Sequence, residues 1–196
     1  PSTLTRAEMT ASRPLLDMRD LRVRFEVEGS GPVDAVRGIS FAVGQSGSVA
    51  LVGESGSGKS VSMRSLLGLL PSNGSSTGTA IFAPEGSDPV DLLALRGARF
   101  RKVRGRQIGL VFQNAMEAFN PSIPIGNQLV EGLTWHGLAS RAEAEKCAVE
   151  ALGDVGIPSP ERTTIMYPFQ LSGGMRQRAM IAMATIAQPN MIIADE

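Results

Sequence analysis

The sequence is poor in the residues that build disulfides and metal sites. It contains one cysteine, Cys147, and one histidine, His136, among its 196 residues. A single cysteine excludes an intramolecular disulfide, and the two counts together exclude the Cys₄, Cys₂His₂ and two-histidine zinc sites. Both counts fit a protein of a reducing compartment.

The sequence also lacks net charge, because 19 basic residues balance 19 acidic ones. A basic field over the whole protein is therefore excluded, and only a local patch could bind nucleic acid. Such a patch exists between Arg96 and Arg106, where six cations occur without an acidic residue. We interpret it as a solvated helix face and expect no nucleic-acid partner.

Long apolar runs are absent: none reaches the roughly 20 residues that a transmembrane helix needs, and no apolar signal segment begins the sequence. Apolar residues nevertheless make up 42% of the chain, enough for a core. Residues 1–14 are small and polar and predict a disordered lead-in. Residues 191–196 resemble the end of a core strand, where domains rarely stop, so we expect a domain over 15–196 that is incomplete at its C-terminus.

Hydrophobic periodicity predicts an α/β chain. Alternation from Leu15 to Val27 predicts a half-buried strand, and a second strand is expected over 33–43. The continuous apolar run 48–52 predicts a fully buried strand. Ser140 and Glu143 form a capping-box pattern for a helix that ends near Val155. Helices are also predicted near 58–70, 93–103 and 172–188, and much of 114–170 is predicted to be helical. Strands are predicted near 79–82, 108–112 and 191–194, the first of them as an edge strand.

Residues 53–60 read GESGSGKS and match the phosphate-loop pattern G-x-x-x-x-G-K-[ST]. The pattern lies after an expected strand and opens an expected helix, so backbone N–H groups would surround a phosphate. Lys59 would reach the β- and γ-phosphates, and the Ser60 hydroxyl would bind Mg²⁺. The predicted nucleotide contacts are Gly53, Glu54, Ser55, Gly56, Ser57, Gly58, Lys59, Ser60 and Val61.

The expected terminal strand ends in two carboxylates. Asp195 would join the Mg²⁺ shell at the tip of a parallel strand. Glu196 would act as the general base toward the attacking water. Without the phosphate loop, the same residues would indicate only a strand that leaves the core in an acidic turn.

A second glycine-rich helix start occurs at Leu171-Ser172-Gly173-Gly174-Met175. Ser172 is a favourable N-cap, and the two glycines leave the helix N-terminus open to an anion. With this segment the sequence resembles the nucleotide-binding subunits of ATP-binding-cassette (ABC) transporters, over about residues 17–196. Met175 stands where the family signature usually has glutamine, a variant of the oligopeptide, dipeptide and nickel importer branch.

The resemblance implies a P-loop NTPase core with an antiparallel β subdomain and a helical signature subdomain at about 114–178. It also implies that Gln113 contacts Mg²⁺ and the attacking water, and that Phe25 stacks on adenine, although plain core packing is an alternative for Phe25. Phe169 departs from the branch, which often has histidine there. The family's switch histidine lies beyond Glu196, so we expect this sequence alone to hydrolyse ATP weakly or not at all.

The function implied by the resemblance is an ATPase subunit that energises import of peptides or a related small solute. Two such subunits would enclose two ATP molecules, each between one subunit's 53–60 loop and the other's Ser172, Gly173 and Gly174. Partners would be a second ATPase subunit, two permease subunits and, indirectly, a solute-binding protein, at the cytoplasmic face of the membrane.

Two other classes share parts of the pattern. DNA-maintenance ATPases carry the same motifs but separate them by a long coiled coil or zinc modules. Here about 110 residues lie between Ser60 and Ser172, without heptads or cysteine clusters. A small-molecule kinase or GTPase needs only the phosphate loop, and the second glycine-rich helix start argues against it.

Overall fold

The computed structural model describes residues 13–29 and 31–195. The chain divides into two compact units, Pro1–Phe100 and Arg101–Glu196. The lead-in predicted over 1–14 lies almost entirely outside the described residues, and so does Glu196. The helical subdomain predicted at 114–178 stays a prediction.

The first unit contains an antiparallel sheet. Its strands are β1 (Leu16–Val27), β2 (Gly31–Val43), β3 (Gly74–Phe82) and β4 (Val90–Asp91), in the order β2-β1-β3-β4. The two long strands β1 and β2 confirm the first two strands predicted from the sequence. β3 starts earlier than predicted and is not an edge strand, because β4 pairs with it through Ile81–Asp91 and Phe82–Val90.

The two faces of β1 differ as its alternation predicts. Leu21 and Val23 are buried in the core, whereas Val27, beside the turn to β2, is exposed. On the other face Arg24 pairs with Asp34 of β2 at 2.7 Å between Nε and Oδ1. The sheet therefore keeps one apolar face and one charged face, as expected for an antiparallel sheet covered on one side.

Residues 48–52 do not form the buried strand predicted from their apolar run. Val49 is 46% exposed and Val52 is 93% exposed. An apolar run indicates burial, but a strand also needs a neighbour that takes its backbone hydrogen bonds. The four strands of the first unit pair among themselves, and within the described residues no strand pairs with 48–52.

The helices of the first unit are shorter than predicted. Helix α1 spans Lys59–Leu66, and a left-handed Gly68 with φ of 59° turns the chain soon after it. The basic helix predicted at 93–103 is instead a 3₁₀ turn, Leu92–Ala94, followed by α2, Gly97–Val103. The break occurs because Leu95 is extended, with ψ of 145°, and Gly97 has φ of 53°.

The second unit pairs two short parallel strands and packs helices after the first of them. β5 (Ile108–Val111) and β6 (Met191–Ala194) run in register from Ile108–Met191 to Val111–Ala194. The helices are α3 (Ala115–Ala118), α4 (Ile125–Trp135), α5 (Arg141–Asp154), α6 (Pro160–Thr164) and α7 (Gly173–Thr185), with a 3₁₀ turn at Pro168–Gln170.

The helices surround one hydrophobic core. α5 begins with the predicted capping box: the Ser140 hydroxyl accepts from the Glu143 N–H, and the Glu143 carboxylate accepts from the Ser140 N–H at 2.9 Å. Fully buried residues from α4, α5 and α7 meet in this core: Ile125, Leu129, Leu152, Ala179 and Met180. The core thus fixes α7, whose N-terminus is the glycine-rich segment at 172–174.

Candidate functional site: two glycine-rich helix starts

The 53–60 loop has the backbone shape expected of a phosphate loop. Gly56 and Gly58 are left-handed, with φ of 79° and 90°. Gly53 is not among the glycines with a positive φ. A Cβ at Gly53 would lie 2.8 Å from the Ser57 hydroxyl oxygen, an atom that can move by rotation of the serine side chain. The backbone conformation of the loop therefore favours glycine at Gly56 and Gly58.

Gly58 joins the loop to the sheet. A Cβ at this position would lie 2.6 Å from the Ala35 carbonyl oxygen of β2. Gly58 is also the N-cap of α1 and, having no side chain, adds no side-chain cap. An anion is the ligand that a helix N-terminus favours, so the start of α1 is a candidate phosphate site.

The Lys59 side chain folds back over the loop. Its Nζ donates to the carbonyl oxygens of Gly53 and Glu54 at 2.7 and 2.8 Å. Both acceptors are neutral, so the positive charge remains available to an anion. The lysine side chain is thereby held across the loop by its first two residues.

Helix α1 is fixed below the loop. Ser62 is buried, and its hydroxyl donates to the Gly58 carbonyl oxygen at 2.8 Å. Ser65 and Leu66 are buried on the same helix. The helix start is thus a fixed part of the first unit.

Phe25 lies half-buried near the end of β1. It pairs across the sheet with Gly74, and a Cβ at Gly74 would lie 2.7 Å from the Phe25 ring. One side of the ring therefore packs on the backbone of β3. This partial packing is compatible both with core packing and with adenine stacking by Phe25, and adenine stacking stays a prediction.

The second unit brings two predicted Mg²⁺ contacts to one end of its parallel strands. Asp195 follows β6, and its N–H donates to the Val111 carbonyl oxygen at the end of β5. Gln113 comes two residues after Val111. Carboxylate and amide oxygens at one sheet end are donors that Mg²⁺ accepts. Glu196 follows directly but lies outside the described residues.

The signature segment forms an exposed helix start. The Ser172 hydroxyl accepts from the Met175 N–H at 3.2 Å, as an N-cap does. Ser172, Gly173 and Gly174 are exposed, and a Cβ at either glycine would meet no atom within 4 Å. These glycines are therefore not required by packing inside the second unit.

Two features near this helix start were not singled out from the sequence. Arg176 Nη1 donates to the carbonyl oxygens of Leu171 and Pro168 at 2.9 and 3.4 Å and so braces the preceding turn. Tyr167 and Phe169 stack, with ring centroids 5.6 Å apart. The sequence signal for the ring stack is a pair of aromatic residues on either side of Pro168, just before the signature. We find no sequence signal for the contacts of Arg176.

The loop at 53–60 and Phe25 belong to the first unit, whereas Gln113, Asp195 and the signature belong to the second. Across the described residues, no cluster of three or more histidine, cysteine or acidic side chains could hold a metal by itself. A Mg²⁺ ion here would consequently need hydroxyl, amide or phosphate oxygens as well as Asp195. None of the helices in 13–29 and 31–195 is long and apolar enough for a membrane span.

A phosphate loop that opens one helix, together with a second glycine-rich helix start, defines the nucleotide-binding cassette class. Residues 36–196 match the family model described as ABC transporter. The chain therefore belongs to the ABC transporter family.

Relatives and solved structures agree with this assignment. The chain is 42% identical over 184 residues to the oligopeptide transport ATP-binding protein OppD of Bacillus subtilis, covering 93% of this chain and 50% of that protein. It is also 42% identical to the dipeptide transport ATP-binding protein DppD of the same organism, over 93% of this chain and 53% of that protein. The chain thus spans about half the length of these relatives.

Among solved structures, the fold is similar to a dimeric post-hydrolysis state of the ATP-binding cassette MJ0796 bound to ADP and Pi. The TM-score is 0.78 at 25% identity, over 92% of this chain and 73% of that one. The α/β cassette fold expected from the sequence is confirmed.

Proposed function

We propose that this chain is the ATP-binding and ATP-hydrolysing part of an ABC importer subunit that energises uptake of peptides or a related small solute. The observation that carries the proposal is the presence in one chain of the 53–60 loop, with the Lys59 side chain hydrogen-bonded across it, and of the open helix start at Ser172–Gly174. A kinase or GTPase with one phosphate loop has no use for the second helix start. The relatives named for oligopeptide and dipeptide transport support the solute class.

In this proposal each residue has one task in the reaction. The amides of α1 and the Lys59 ammonium bind and orient the phosphates and offset their negative charge. Glu196 accepts a proton from the attacking water, whose oxygen bonds to the γ-phosphorus while the bond to the β–γ bridging oxygen breaks. Ser60, Gln113 and Asp195 would hold Mg²⁺, which supplies further neutralisation of phosphate charge.

The signature serves a second subunit. Ser172, Gly173 and Gly174 of one copy would face the nucleotide in the 53–60 loop of its partner, so ATP would join the two subunits and hydrolysis would release them. Two permease subunits at the cytoplasmic face of the membrane, and a solute-binding protein acting through them, complete the proposed importer.

Uptake of a labelled oligopeptide by cells tests this function. Cells in which the gene is deleted should lose uptake, and the full-length wild-type subunit should restore it. The Lys59→Ala subunit, made at the same level, should not. If the deletion strain takes up di-, tri- and oligopeptides at the wild-type rate, the peptide-import assignment is wrong.

A further inference from the structure

Two aromatic rings stand at the surface immediately before the signature. The ring planes of Tyr167 and Phe169 are inclined by only 13°, with centroids 5.6 Å apart. Phe169 is 64% exposed. Because Tyr167 covers one face of the Phe169 ring, most of this exposure belongs to the other face and the ring edge. A flat apolar surface is therefore open to contact from outside the unit.

The backbone around the pair holds the rings in place. Pro168–Gln170 is a 3₁₀ turn, and the Gln170 side-chain oxygen accepts from the Tyr167 N–H at 2.8 Å. Arg176 donates to the carbonyl oxygens of Pro168, the first residue of this turn, and of Leu171, which follows it. A group that stacks on Phe169 would therefore lose little affinity to ordering of the protein.

The pair is continuous with the proposed contact to the second subunit. Phe169 precedes Gly173 by four residues, so their Cα atoms are at most about 14 Å apart. Under the proposed function, Ser172–Gly174 faces the phosphates of a nucleotide in the other subunit. The sugar and the base of that nucleotide would then lie near the surface around this helix start.

We propose that Phe169, backed by Tyr167, stacks on the purine base of the ATP molecule held by the partner subunit. The inference rests on the proposed two-subunit arrangement and adds to it a residue that recognises the base. A third flat group can continue the stack of two nearly parallel rings, and aromatic side chains bind bases in this manner whatever the base.

A photolabelling experiment tests the contact directly. Full-length wild-type subunit is mixed with a tagged, full-length Lys59→Ala subunit and exposed to 8-azido-ATP, whose reactive group is on the base. At an analogue concentration that fills the wild-type loop but not the weakened Lys59→Ala loop, label should appear in the peptide that contains residues 167–169 of the tagged subunit. Label confined to the wild-type subunit would overturn the proposal.

A second measurement separates base stacking from a general apolar contact. The ATP concentration that gives half-maximal dimerisation should rise at least about five-fold in Phe169→Ala, since one stacked base contributes about 1–3 kcal/mol. Phe169→Trp should stay near the wild type. Ile165→Ala is the matched control, because Ile165 is 73% exposed and lies nearby in the chain but cannot stack.

The outcomes distinguish this inference from the proposed function. If the wild type dimerises with ATP and Phe169→Ala behaves like it, base stacking is wrong and the proposed function stands. If Ile165→Ala is as defective as Phe169→Ala, the surface contacts protein instead of a base. If the wild type binds ATP but never dimerises, the two-subunit arrangement fails and the inference fails with it.

Discussion

At the scale of single residues, Lys59 is the main point charge available to a phosphate in the first unit. Lys59→Ala should weaken ATP binding at least about ten-fold, because a hydrogen bond to a charged group contributes roughly 1.5–3 kcal/mol. The fold should persist, since the bonds lost are two contacts to loop carbonyls. Filter binding measures the affinity, and Lys146→Ala, at an exposed lysine of α5, is the control. Equal affinities of both variants would contradict the role of the loop.

Two glycines of the same loop should differ in their tolerance of alanine. Gly56 and Gly58 are both left-handed, so each alanine carries a backbone cost of about 1–2 kcal/mol. At Gly56 the added Cβ meets open space, whereas at Gly58 it overlaps the Ala35 carbonyl oxygen. Gly58→Ala should therefore lower the free energy of unfolding more than Gly56→Ala. Urea denaturation of both variants measures this, and equal losses would mean that the loop does not rest on β2 as described.

At the scale of secondary-structure elements, the capping box of α5 makes stability depend on pH. Hydrogen bonds from the Ser140 hydroxyl and then the Ser140 backbone hold the pKa of Glu143 below its ordinary value of 4.5. A lowered carboxyl pKa contributes stability above the ordinary value and loses it as pH falls through the folded-state value. The stability of wild type should therefore drop below pH 4.5 by more than that of Glu143→Gln.

Denaturation midpoints above and below that pH measure the effect. Glu145→Gln is the matched control, because Glu145 lies on the same helix in an exposed pair with Arg141. If Glu143→Gln and wild type lose stability in parallel, the capping box does not contribute through the Glu143 carboxylate.

The start of α7 should matter to the dimer and not to the monomer. Ser172→Arg places a long side chain at an exposed helix start, so it should leave ATP binding by the single subunit intact and prevent dimerisation and turnover. Ser172→Ala removes the N-cap hydrogen bond, which costs about 1 kcal/mol, and the hydroxyl that would face the partner's nucleotide, but it adds no bulk, so it should still dimerise at a higher ATP concentration. Loss of monomeric ATP binding in Ser172→Arg would place this helix start at the subunit's own nucleotide and contradict the proposed arrangement.

At the scale of the whole molecule, local patterns were readable from the sequence and non-local pairings were not. The alternation in β1, the capping box of α5 and the helix start after the 53–60 loop depend on residues close together in the chain, and the structure confirms them. The prediction of a strand at 48–52 was wrong. A strand needs a neighbouring strand, and an apolar run does not show whether a distant part of the chain supplies one. The helix predicted at 93–103 is interrupted because the extended backbone at Leu95 overrides a favourable composition.

In the candidate site, too, features that depend on neighbouring residues were predicted from the sequence, and features that depend on distant packing were not. The positions of Lys59 and Ser172 followed from motifs that carry their own geometry. The stacking of Tyr167 on Phe169 and the brace from Arg176 did not, because side-chain exposure depends on how α7 and the preceding turn pack. The roles of Phe25, Gln113, Asp195 and Glu196 toward ATP stay predictions.

The molar mass of the full-length subunit with and without ATP, measured by light scattering, tests the central claim most directly. The account predicts a monomer without nucleotide and a mass twice as large at saturating ATP. The Ser172→Arg subunit should bind ATP and remain monomeric. A wild-type subunit that binds ATP with Lys59-dependent affinity and keeps the monomer mass at every ATP concentration would contradict the claim that Ser172–Gly174 serves a nucleotide held by a second subunit.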